Sequence, residues 1–288
     1  MVDFDYLEPS TLEEAGALLE RYGDEAKLIA GGTAMTIWVS QGLLSPKALI
    51  SLAKIPEFDY ILFDEKDGLR IGAGARHRDI EMAAVVQEQY PLLYDTFHKV
   101  AQPRIRLMGT IGGNLCIGDP ATDPGSSLIA LDAEVALTST KGRRVLRLEE
   151  FFVDYYQTAL EPDEILTEIH VPPPTYGLGW SHIKFTPRTE EEFATVGVAV
   201  ALSERNGQCK DIHLALNSVG PTILRAKKAE GVLRGQRISD ELLLEMGRVA
   251  ATEVDPSDDT RGSAEYKREL VTVLVPRAAR EALDRASG

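Results

Sequence analysis

The sequence predicts an α+β protein with a larger N-terminal part and a smaller C-terminal module. In the N-terminal part, short apolar stretches typical of strands alternate with stretches of helical periodicity, whereas three strand-like stretches and then three helical ones follow the proline run 172–174. A run of prolines can neither continue a helix nor donate hydrogen bonds within a sheet. The run therefore marks the boundary between the two parts.

The N-terminal part opens with an amphipathic helix and a β-α-β unit. Ser10 and Glu13 form a capping-box pattern with Ser10 as the N-cap, and apolar residues then recur at helical spacing until Gly23. The β-α-β unit is predicted from strands over residues 26–30 and 48–51 and a helix over residues 34–39.

Two hairpins, one longer strand and further helices complete the N-terminal part. Residues 66–68 and 141–142 are turn signals between strand-like stretches, and residues 164–171 alternate apolar and polar as a half-buried strand does. The hairpin strands are predicted over residues 60–63 with 69–72 and 134–137 with 144–147, and the helices over residues 79–89, 91–101 and 126–131.

The C-terminal module reads as an antiparallel sheet followed by helices. Residues 205–208, Arg-Asn-Gly-Gln, are a hairpin turn between two apolar stretches. Strands are predicted over residues 180–185, 196–202 and 212–218, and helices over residues 223–233, 239–252 and 263 to about 286.

Composition excludes several classes of function. The net charge of −14 over 288 residues argues against nucleic acid, whose phosphates attract Lys and Arg. No apolar run approaches the ~18 residues of a membrane span, and the N-terminus lacks the pattern of a signal peptide. Cys116 and Cys209 stand far apart and cannot supply the ligands of a zinc or iron–sulfur centre. We therefore expect a cytoplasmic protein without a metal site of its own.

Two double-glycine turns are the strongest functional signal. Gly31 and Gly32 stand between a predicted strand and a predicted helix, and Gly112 and Gly113 precede Asn114. Without a Cβ the main chain can approach a ligand closely, and consecutive backbone N–H groups can converge on a phosphate. The alternative is that both are ordinary tight loops in which glycine only supplies the backbone angles.

The two turns together resemble the paired flavin loops of the FAD-binding medium subunits of molybdenum hydroxylases, the family of xanthine dehydrogenase and aerobic carbon monoxide dehydrogenase. The resemblance covers nearly the whole chain, with its motifs in the family's order. It departs from the pattern at Ala34, where relatives often carry a polar residue. The motifs are Ala30-Gly31-Gly32-Thr33, Thr110-Ile111-Gly112-Gly113-Asn114, Asp119-Pro120-Ala121-Thr122-Asp123, Glu164-Ile165-Leu166, Lys184 and Asp259-Thr260-Arg261-Gly262-Ser263-Ala264-Glu265-Tyr266-Lys267.

The resemblance implies a fold and a domain division. Residues 1–173 would form a vanillyl-alcohol-oxidase-type (PCMH-type) FAD-binding domain, with FAD extended between subdomains of about residues 1–57 and 58–173. Residues 176–288 would form a domain like the C-terminal domain of the CO dehydrogenase flavoprotein, with an antiparallel sheet and three helices.

The resemblance also implies which residues hold FAD. Asp123 matches a position at the flavin's sugar region, Leu166 one near the adenine, and Lys184 one near the isoalloxazine. For Asp123 the bland alternative is a helix N-cap before Ser126, and for Lys184 a solvated lysine at a strand end. The first turn would wrap the pyrophosphate with Leu28, Ile29, Ala30, Gly31, Gly32, Thr33, Ala34 and Met35, and the second would cover the other side of the phosphates and the ribityl chain with Thr110, Ile111, Gly112, Gly113 and Asn114.

As a member of this family, the chain would transfer electrons rather than transform a substrate, and it would contain no catalytic residue of its own. A large molybdopterin-binding subunit would hydroxylate the substrate, and a small subunit with [2Fe–2S] clusters would pass electrons to FAD, in a dimer of heterotrimers. The terminal acceptor would be NAD, quinone or oxygen. Two alternatives remain open: a stand-alone FAD-dependent oxidase or reductase on the same fold, and a scaffold subunit that has lost FAD.

Two further features near the predicted flavin site have both a bland and a functional interpretation. Cys116 follows the second glycine turn and is either a packed free thiol or the attachment point of a cysteinyl–flavin bond. The acidic run Glu190 to Glu192 is either a solvated turn or a loop at the flavin edge that controls access of the electron acceptor.

Overall fold

A computed structural model describes residues 4–175 and 177–286 of the chain. Residue 176, where the C-terminal domain is predicted to begin, and the chain ends at 1–3 and 287–288 lie outside the described residues. The α+β class is confirmed, with strands and helices mixed in the N-terminal part and an antiparallel sheet with three helices in the C-terminal part of the described chain.

The first sheet is small and parallel, as the predicted β-α-β unit requires. Its three strands have the order β1-β3-β2, and every residue of β3 is buried because α1 covers the sheet. The elements are β1 (Asp5–Leu7), α1 (Leu12–Tyr22), β2 (Ala26–Ile29), α2 (Met35–Ser40) and β3 (Ala48–Ser51).

The N-terminus of α1 is capped one residue later than the sequence pattern predicts. The Thr11 hydroxyl, rather than that of Ser10, accepts from the Glu14 backbone N–H at 3.2 Å. The Glu14 carboxylate in turn accepts from the backbone N–H of Ser10 at 2.7 Å. The arrangement is a variant of the capping box with Thr11 as the N-cap, in which Glu14 reaches the N–H one residue before the cap.

The second sheet is antiparallel and places the last strand of the N-terminal part at its centre. The strand order is β4-β5-β10-β6-β7, so β10 pairs with β5 on one side and β6 on the other. Its strands are β4 (Ile61–Asp64), β5 (Gly68–Gly72), β6 (Glu134–Ser139), β7 (Gly142–Arg147) and β10 (Ile165–Val171), and the short pair β8 (Phe152–Asp154) and β9 (Gln157–Thr158) lies between β7 and β10 in the chain.

The helices of this part differ from the prediction in several places. Short helices at residues 103–106 and 148–151 were not predicted, and the helix predicted over residues 91–101 ends at His98. The helix predicted over residues 79–89 is broken at Ala83, whose backbone is extended. A helix also begins at Ile111, where only a turn was expected. The helices are α3 (His77–Met82), α4 (Ala84–Gln89), α5 (Pro91–His98), α6 (Pro103–Arg106), α7 (Ile111–Cys116), α8 (Pro124–Ala130) and α9 (Leu148–Phe151).

The C-terminal part is a four-stranded antiparallel sheet covered by helices. The helix predicted over residues 223–233 starts only at Lys227, because Leu224 and Arg225 pair with β13 as a short edge strand. The elements are β11 (Leu178–Phe185), β12 (Val196–Arg205), β13 (Gln208–Asn217), β14 (Leu224–Arg225), α10 (Lys227–Leu233), α11 (Asp240–Glu253) and α12 (Ala264–Ala286). None of the described helices is long and apolar enough to cross a membrane.

The C-terminal sheet is buried on both faces, and this brings the two parts together. Val and Leu side chains of β12 and β13 pack on one face against the C-terminal helices. The alternate residues Ala199, Ala201 and Ala215 point the other way and join the core of the N-terminal part. Because these side chains are small, the fully buried helix α8 can pack closely on β12 and β13. The start of α8 is therefore held against the C-terminal sheet.

Candidate functional site

The first glycine turn contacts the main chain that leads into the second. A Cβ on Gly31 would overlap the carbonyl oxygen of Met108 and would lie 2.9 Å from the Cα of Gly109. Gly32 has φ +71°, in the left-handed region that favours glycine. The first turn thus lies on the main chain that leads into α7. We call residues 28–35 and 110–114 together the glycine clamp.

The second half of the clamp is the first turn of a helix. Thr110 is the N-cap of α7, and its hydroxyl accepts from the Gly113 backbone N–H at 3.2 Å. The Asn114 N–H bonds to the Thr110 carbonyl at 2.9 Å. The N–H groups at the start of a helix lack partners within the helix and carry a partial positive charge, which suits a phosphate. In α7 the N–H groups of Ile111 and Gly112 bond to the carbonyls of Ala75 and Ala73, so this turn offers a phosphate mainly its partial charge.

Glycine occupies the two positions of this turn for different structural reasons. A Cβ on Gly112 would lie 2.6 Å from the Cβ of Ala73, and the Gly112 N–H bonds to the Ala73 carbonyl at 2.9 Å. A Cβ on Gly113 would meet only the hydroxyl of its own cap, Thr110, at 2.9 Å. Gly112 is therefore required for packing against the strand segment after β5, and its role in ligand approach stays a prediction. Gly113 leaves open space beside the clamp.

Asp123 and Lys184 form a buried ion pair across the boundary between the two parts. The Lys184 ammonium donates to Asp123 Oδ2 at 2.8 Å and to the Lys99 carbonyl at 2.7 Å. The exposed fractions of the Lys184 and Asp123 side chains are 1% and 5%. Burial raises the pKa of Asp123, whereas Lys184 and, more weakly, Lys99 act to lower it. The interpretation of Lys184 as a solvated lysine is therefore wrong.

Asp123 is also not a helix cap through its side chain. The residue precedes α8 but has helical backbone angles and makes no side-chain cap hydrogen bond. Only its carbonyl is used locally, as the acceptor for the Ser126 hydroxyl at 2.9 Å. The carboxylate is free to serve the ion pair and has one oxygen, Oδ1, without a hydrogen-bond partner.

Sequence reasoning missed the side chains that surround this ion pair. The Lys99 ammonium donates to the His182 carbonyl at 3.0 Å and to Asp95 at 2.8 Å. Burial, with Lys99 and Lys184 nearby, lowers the pKa of His182 to about 3, so its imidazole is neutral. We call Lys99, Asp123, His182, Lys184 and Asn217 together the interdomain cluster. Only the alternation of His182 and Lys184 on one strand hinted at it in the sequence.

Several buried polar atoms in this region have no hydrogen-bond partner among the described residues. They are Asn114 Oδ1, Asp123 Oδ1, both ring nitrogens of His182, both side-chain polar atoms of Asn217 and Ser218 Oγ. Each such atom costs roughly 1–3 kcal/mol when left unpaired. Asn114 and Asp123 are predicted flavin contacts, so unpaired acceptors occur where FAD hydroxyl groups could donate. The residues present therefore fit the cofactor.

The remaining predicted contacts lie at the edges of this region. Leu28 and Ile29 end β2, and all residues from 28 to 35 are half-buried, as expected of an open cradle. Leu166 lies in β10 opposite Leu137 and is buried in the core. The structure thus brings the first turn to the main chain before the second, and pairs Asp123 with Lys184.

Cys116 is a packed thiol. It lies at the end of α7 against the hydrophobic core, and burial raises its pKa to about 12. A protonated thiol is a poor nucleophile, which favours the packed thiol over a flavin bond. No group of three or more His, Cys, Asp or Glu side chains within the described residues is arranged to hold a metal ion.

The acidic run after Lys184 contacts the segment that leads to the clamp. Glu191 accepts from Gln102 at 3.1 Å, and Glu192 pairs with Arg188 at 2.8 Å. The neighbouring Phe193 is 52% exposed. The run is therefore partly paired, and its effect on the acceptor stays a prediction.

Comparison with known proteins connects this geometry to a family. A family model described as the FAD-binding domain in molybdopterin dehydrogenase matches residues 2–174. A second model, the CO dehydrogenase flavoprotein C-terminal domain, matches residues 181–282.

Individual relatives match over the full length. The chain is 34% identical over 284 residues to the carbon monoxide dehydrogenase medium chain of Hydrogenophaga pseudoflava, covering 99% of this chain and 98% of that one. It is 31% identical over 283 residues to caffeine dehydrogenase subunit beta of Pseudomonas sp. (strain CBB1), covering 98% and 95% of the two chains. A solved structure of carbon monoxide dehydrogenase from Hydrogenophaga pseudoflava, lacking the Mo-pyranopterin moiety, superposes with a TM-score of 0.96 at 35% identity and 98% coverage of both chains. The chain belongs to the family of FAD-binding medium subunits of molybdenum hydroxylases.

Proposed function

We propose that the glycine clamp holds FAD, and that the chain uses this cofactor to pass electrons from a partner subunit to a terminal acceptor. The contact between Gly31 and the Met108 carbonyl carries the proposal. It places the first turn against the main chain that leads into the second turn. Among the described residues, no backbone carbonyl accepts from the N–H groups of Gly31 to Ala34, which leaves them available to a phosphate. Asp123, Leu166 and Lys184 complete the proposed set of contacts.

The chemistry of the clamp suits an anion in an acidic protein. The chain has a net charge of −14, so a general basic surface does not attract the two phosphates of FAD. Backbone dipoles at the two turns supply a local positive field instead. The unpaired Asn114 Oδ1 and Asp123 Oδ1 are acceptors for sugar or ribityl hydroxyl groups.

The chain's own residues also set the electrostatics near the proposed ring site. Lys184 is a cation with almost no access to water, held by Asp123 and the Lys99 carbonyl. A fixed charge in a dry site acts more strongly than the same charge in solvent. When bound, FAD supplies the exchange between one-electron donors and a one- or two-electron acceptor, and Lys184 would stabilise the negative charge that reduction adds.

We further propose that this chain works in a dimer of heterotrimers with a large molybdopterin-binding subunit and a small [2Fe–2S] subunit, in the cytoplasm. Support comes from the names of the relatives, which are medium chains and subunits. The two cysteines of this chain also cannot ligate such a cluster. The relatives are named for different compounds, carbon monoxide and caffeine, so neither compound is assigned as the substrate of the complex that contains this chain. The acceptor is NAD, quinone or oxygen.

The test is purification of the chain alone and then with its partners. We expect the chain alone to bind FAD, visible as a flavin absorption spectrum, and to turn over no hydroxylation substrate. Hydroxylation by the isolated chain would favour the stand-alone enzyme instead. A chain that binds no FAD at any concentration would favour the scaffold alternative. Co-purification with large and small hydroxylase subunits from the native source tests the assembly.

A further inference from the structure

Three residues of the C-terminal sheet form a row that leads to Asp123. Lys184 of β11 is paired with Gly197 of β12, and Gly197 is paired with Asn217 of β13. Residues directly opposite each other in antiparallel strands point to the same face. Lys184 and Asn217 therefore share a face, with a position between them that has no side chain.

The Asn217 side chain occupies the space above that glycine. A Cβ on Gly197 would overlap Asn217 Oδ1 and would lie 2.6 Å from its Cγ and 2.8 Å from its Nδ2. The amide thus lies flat across the neighbouring strand, on the side of Lys184. Gly197 is needed here because any side chain would displace the amide.

Asn217 is fully buried at 0% exposure, yet neither polar atom of its amide has a partner with full hydrogen-bond geometry. The end of β13 that carries Asn217 lies against the loop before Asp123, because the Ser218 N–H donates to the Pro120 carbonyl at 2.8 Å, and the amide acts to lower the pKa of the Asp123 carboxyl. Asp123 Oδ1 is the carboxylate oxygen that the Lys184 ion pair leaves unpaired. A donor and an acceptor thus stand next to each other in a buried place where pairing would be favourable.

We propose that Asn217 is a further positioning residue of the flavin site, whose amide orients the free oxygen of Asp123 toward FAD. The proposal rests on the function proposed above. Lys184 holds one carboxylate oxygen and Asn217 directs the other, so the C-terminal sheet fixes a residue that belongs to the FAD-binding domain. The flavin site is then complete only when both domains are docked.

The test measures FAD affinity of the full-length chain, stripped of flavin and titrated with FAD. We expect Asn217→Ala to weaken binding roughly tenfold, the effect of one hydrogen bond to a charged group. Gly197→Ala should weaken binding to a similar degree, because its methyl group displaces the amide. In the double variant the methyl group meets no amide, so the loss should equal that of Asn217→Ala alone rather than the sum.

A pH profile separates positioning from loss of stability. FAD binding should weaken as the pH falls through the raised pKa of Asp123, because the carboxylate becomes protonated. Asn217 favours the carboxylate form, so the decline should begin at a higher pH in Asn217→Ala, and at a still higher pH in Asn217→Asp, which adds a second negative charge. The charged groups that act on Asp123 from the packed elements are Lys184 and Lys99, and the neutral His182 lies beside these two lysines.

Leu216→Ala is the control for a merely destabilised domain. Leu216 is the neighbour of Asn217 on β13 but faces the helical core on the other side of the sheet. The Leu216→Ala variant should have a lower melting temperature but the same pH profile of FAD binding as the wild type. Equal FAD affinity and equal pH profiles in wild type and Asn217→Ala would overturn the role of Asn217 alone. A wild-type chain that binds no FAD would overturn the proposed function, and this inference with it.

Discussion

The glycine clamp and the interdomain cluster are built in opposite ways. The clamp consists of main chain at two turns, and its side chains matter mainly by their absence, as at Gly31. The cluster consists of charged and polar side chains that come from both domains, and its central ion pair, Asp123 with Lys184, is almost fully buried. The clamp therefore depends on local backbone shape, whereas the cluster depends on how two domains dock.

This difference predicts which property, FAD binding or stability, a substitution in each region should change first. A new side chain in the clamp changes the shape of a binding surface and affects FAD first. A lost side chain in the cluster leaves another charge buried without a partner, and affects the free energy of unfolding first. The following experiments test this division.

The largest effect is expected for Lys184→Met. Removal of the ammonium leaves the buried Asp123 carboxylate unpaired, which should lower the free energy of unfolding by about 3–5 kcal/mol. Denaturant unfolding of the FAD-free chain measures it. Lys141→Met is the matched control, because Lys141 makes an ion pair with Asp163 that is open to solvent. Similar losses in both variants would mean that the buried pair is not a structural element of the interface.

The two glycines of the second turn should separate packing from binding. Gly112→Ala overpacks against Ala73 and should lower the free energy of unfolding by about 1–3 kcal/mol. Gly113→Ala should change stability little, because its methyl group meets only the Thr110 hydroxyl, but it should weaken FAD binding. Unfolding and FAD titration of both variants give the answer, and the reverse pattern would contradict the division.

His182 gives the cluster a dependence on pH. Its pKa is lowered to about 3 because the imidazole is buried beside cations. The unfolded chain binds the proton more readily, so stability is complete above pH ~6.5 and falls on acidification by at most about 1.4 kcal/mol per pH unit. His182→Gln should reduce this slope, with His77 retaining part of it, since burial lowers the pKa of His77 to about 4. A slope unchanged by the substitution would place the titration elsewhere.

The smallest effect is expected for Cys116→Ala. The protonated thiol packs beside the clamp, so its loss should change FAD affinity little. Acid precipitation of the wild-type protein should release the flavin into the supernatant, because no covalent bond holds it. Flavin that stays in the pellet of the wild type, but not in that of the variant, would establish the cysteinyl–flavin bond instead.

Much of the fold could be predicted from local sequence patterns. Strand β3 and the hairpin of β12 and β13 lie where alternation and turn residues placed them, because those signals involve neighbouring residues. Helix α7 was missed because Gly112 and Gly113 are poor helix formers. The cap by Thr110 was the available signal, since its hydroxyl stands three residues before the N–H it accepts from.

The candidate site likewise has one part that could be predicted from local sequence and one part that could not. Both glycine turns were recognisable, because glycine pairs at strand and helix ends have a local meaning. The pairing of Asp123 with Lys184, and the place of Asn217, depend on the register of β11 to β13 and on the docking of α8. No spacing in the chain encodes that register, so these residues became visible only in three dimensions.

The alanine face of β12 and β13 has a consequence for engineering. Helix α8 packs on the small side chains of Ala199, Ala201 and Ala215. Gly125 of that helix leaves room for Ile223. A chimera that takes its C-terminal domain from a relative would need small side chains on this face of the sheet, so that α8 can still pack against it. An exchange therefore has to treat the two domains as one unit, because a change on one side of this contact needs a matching change on the other.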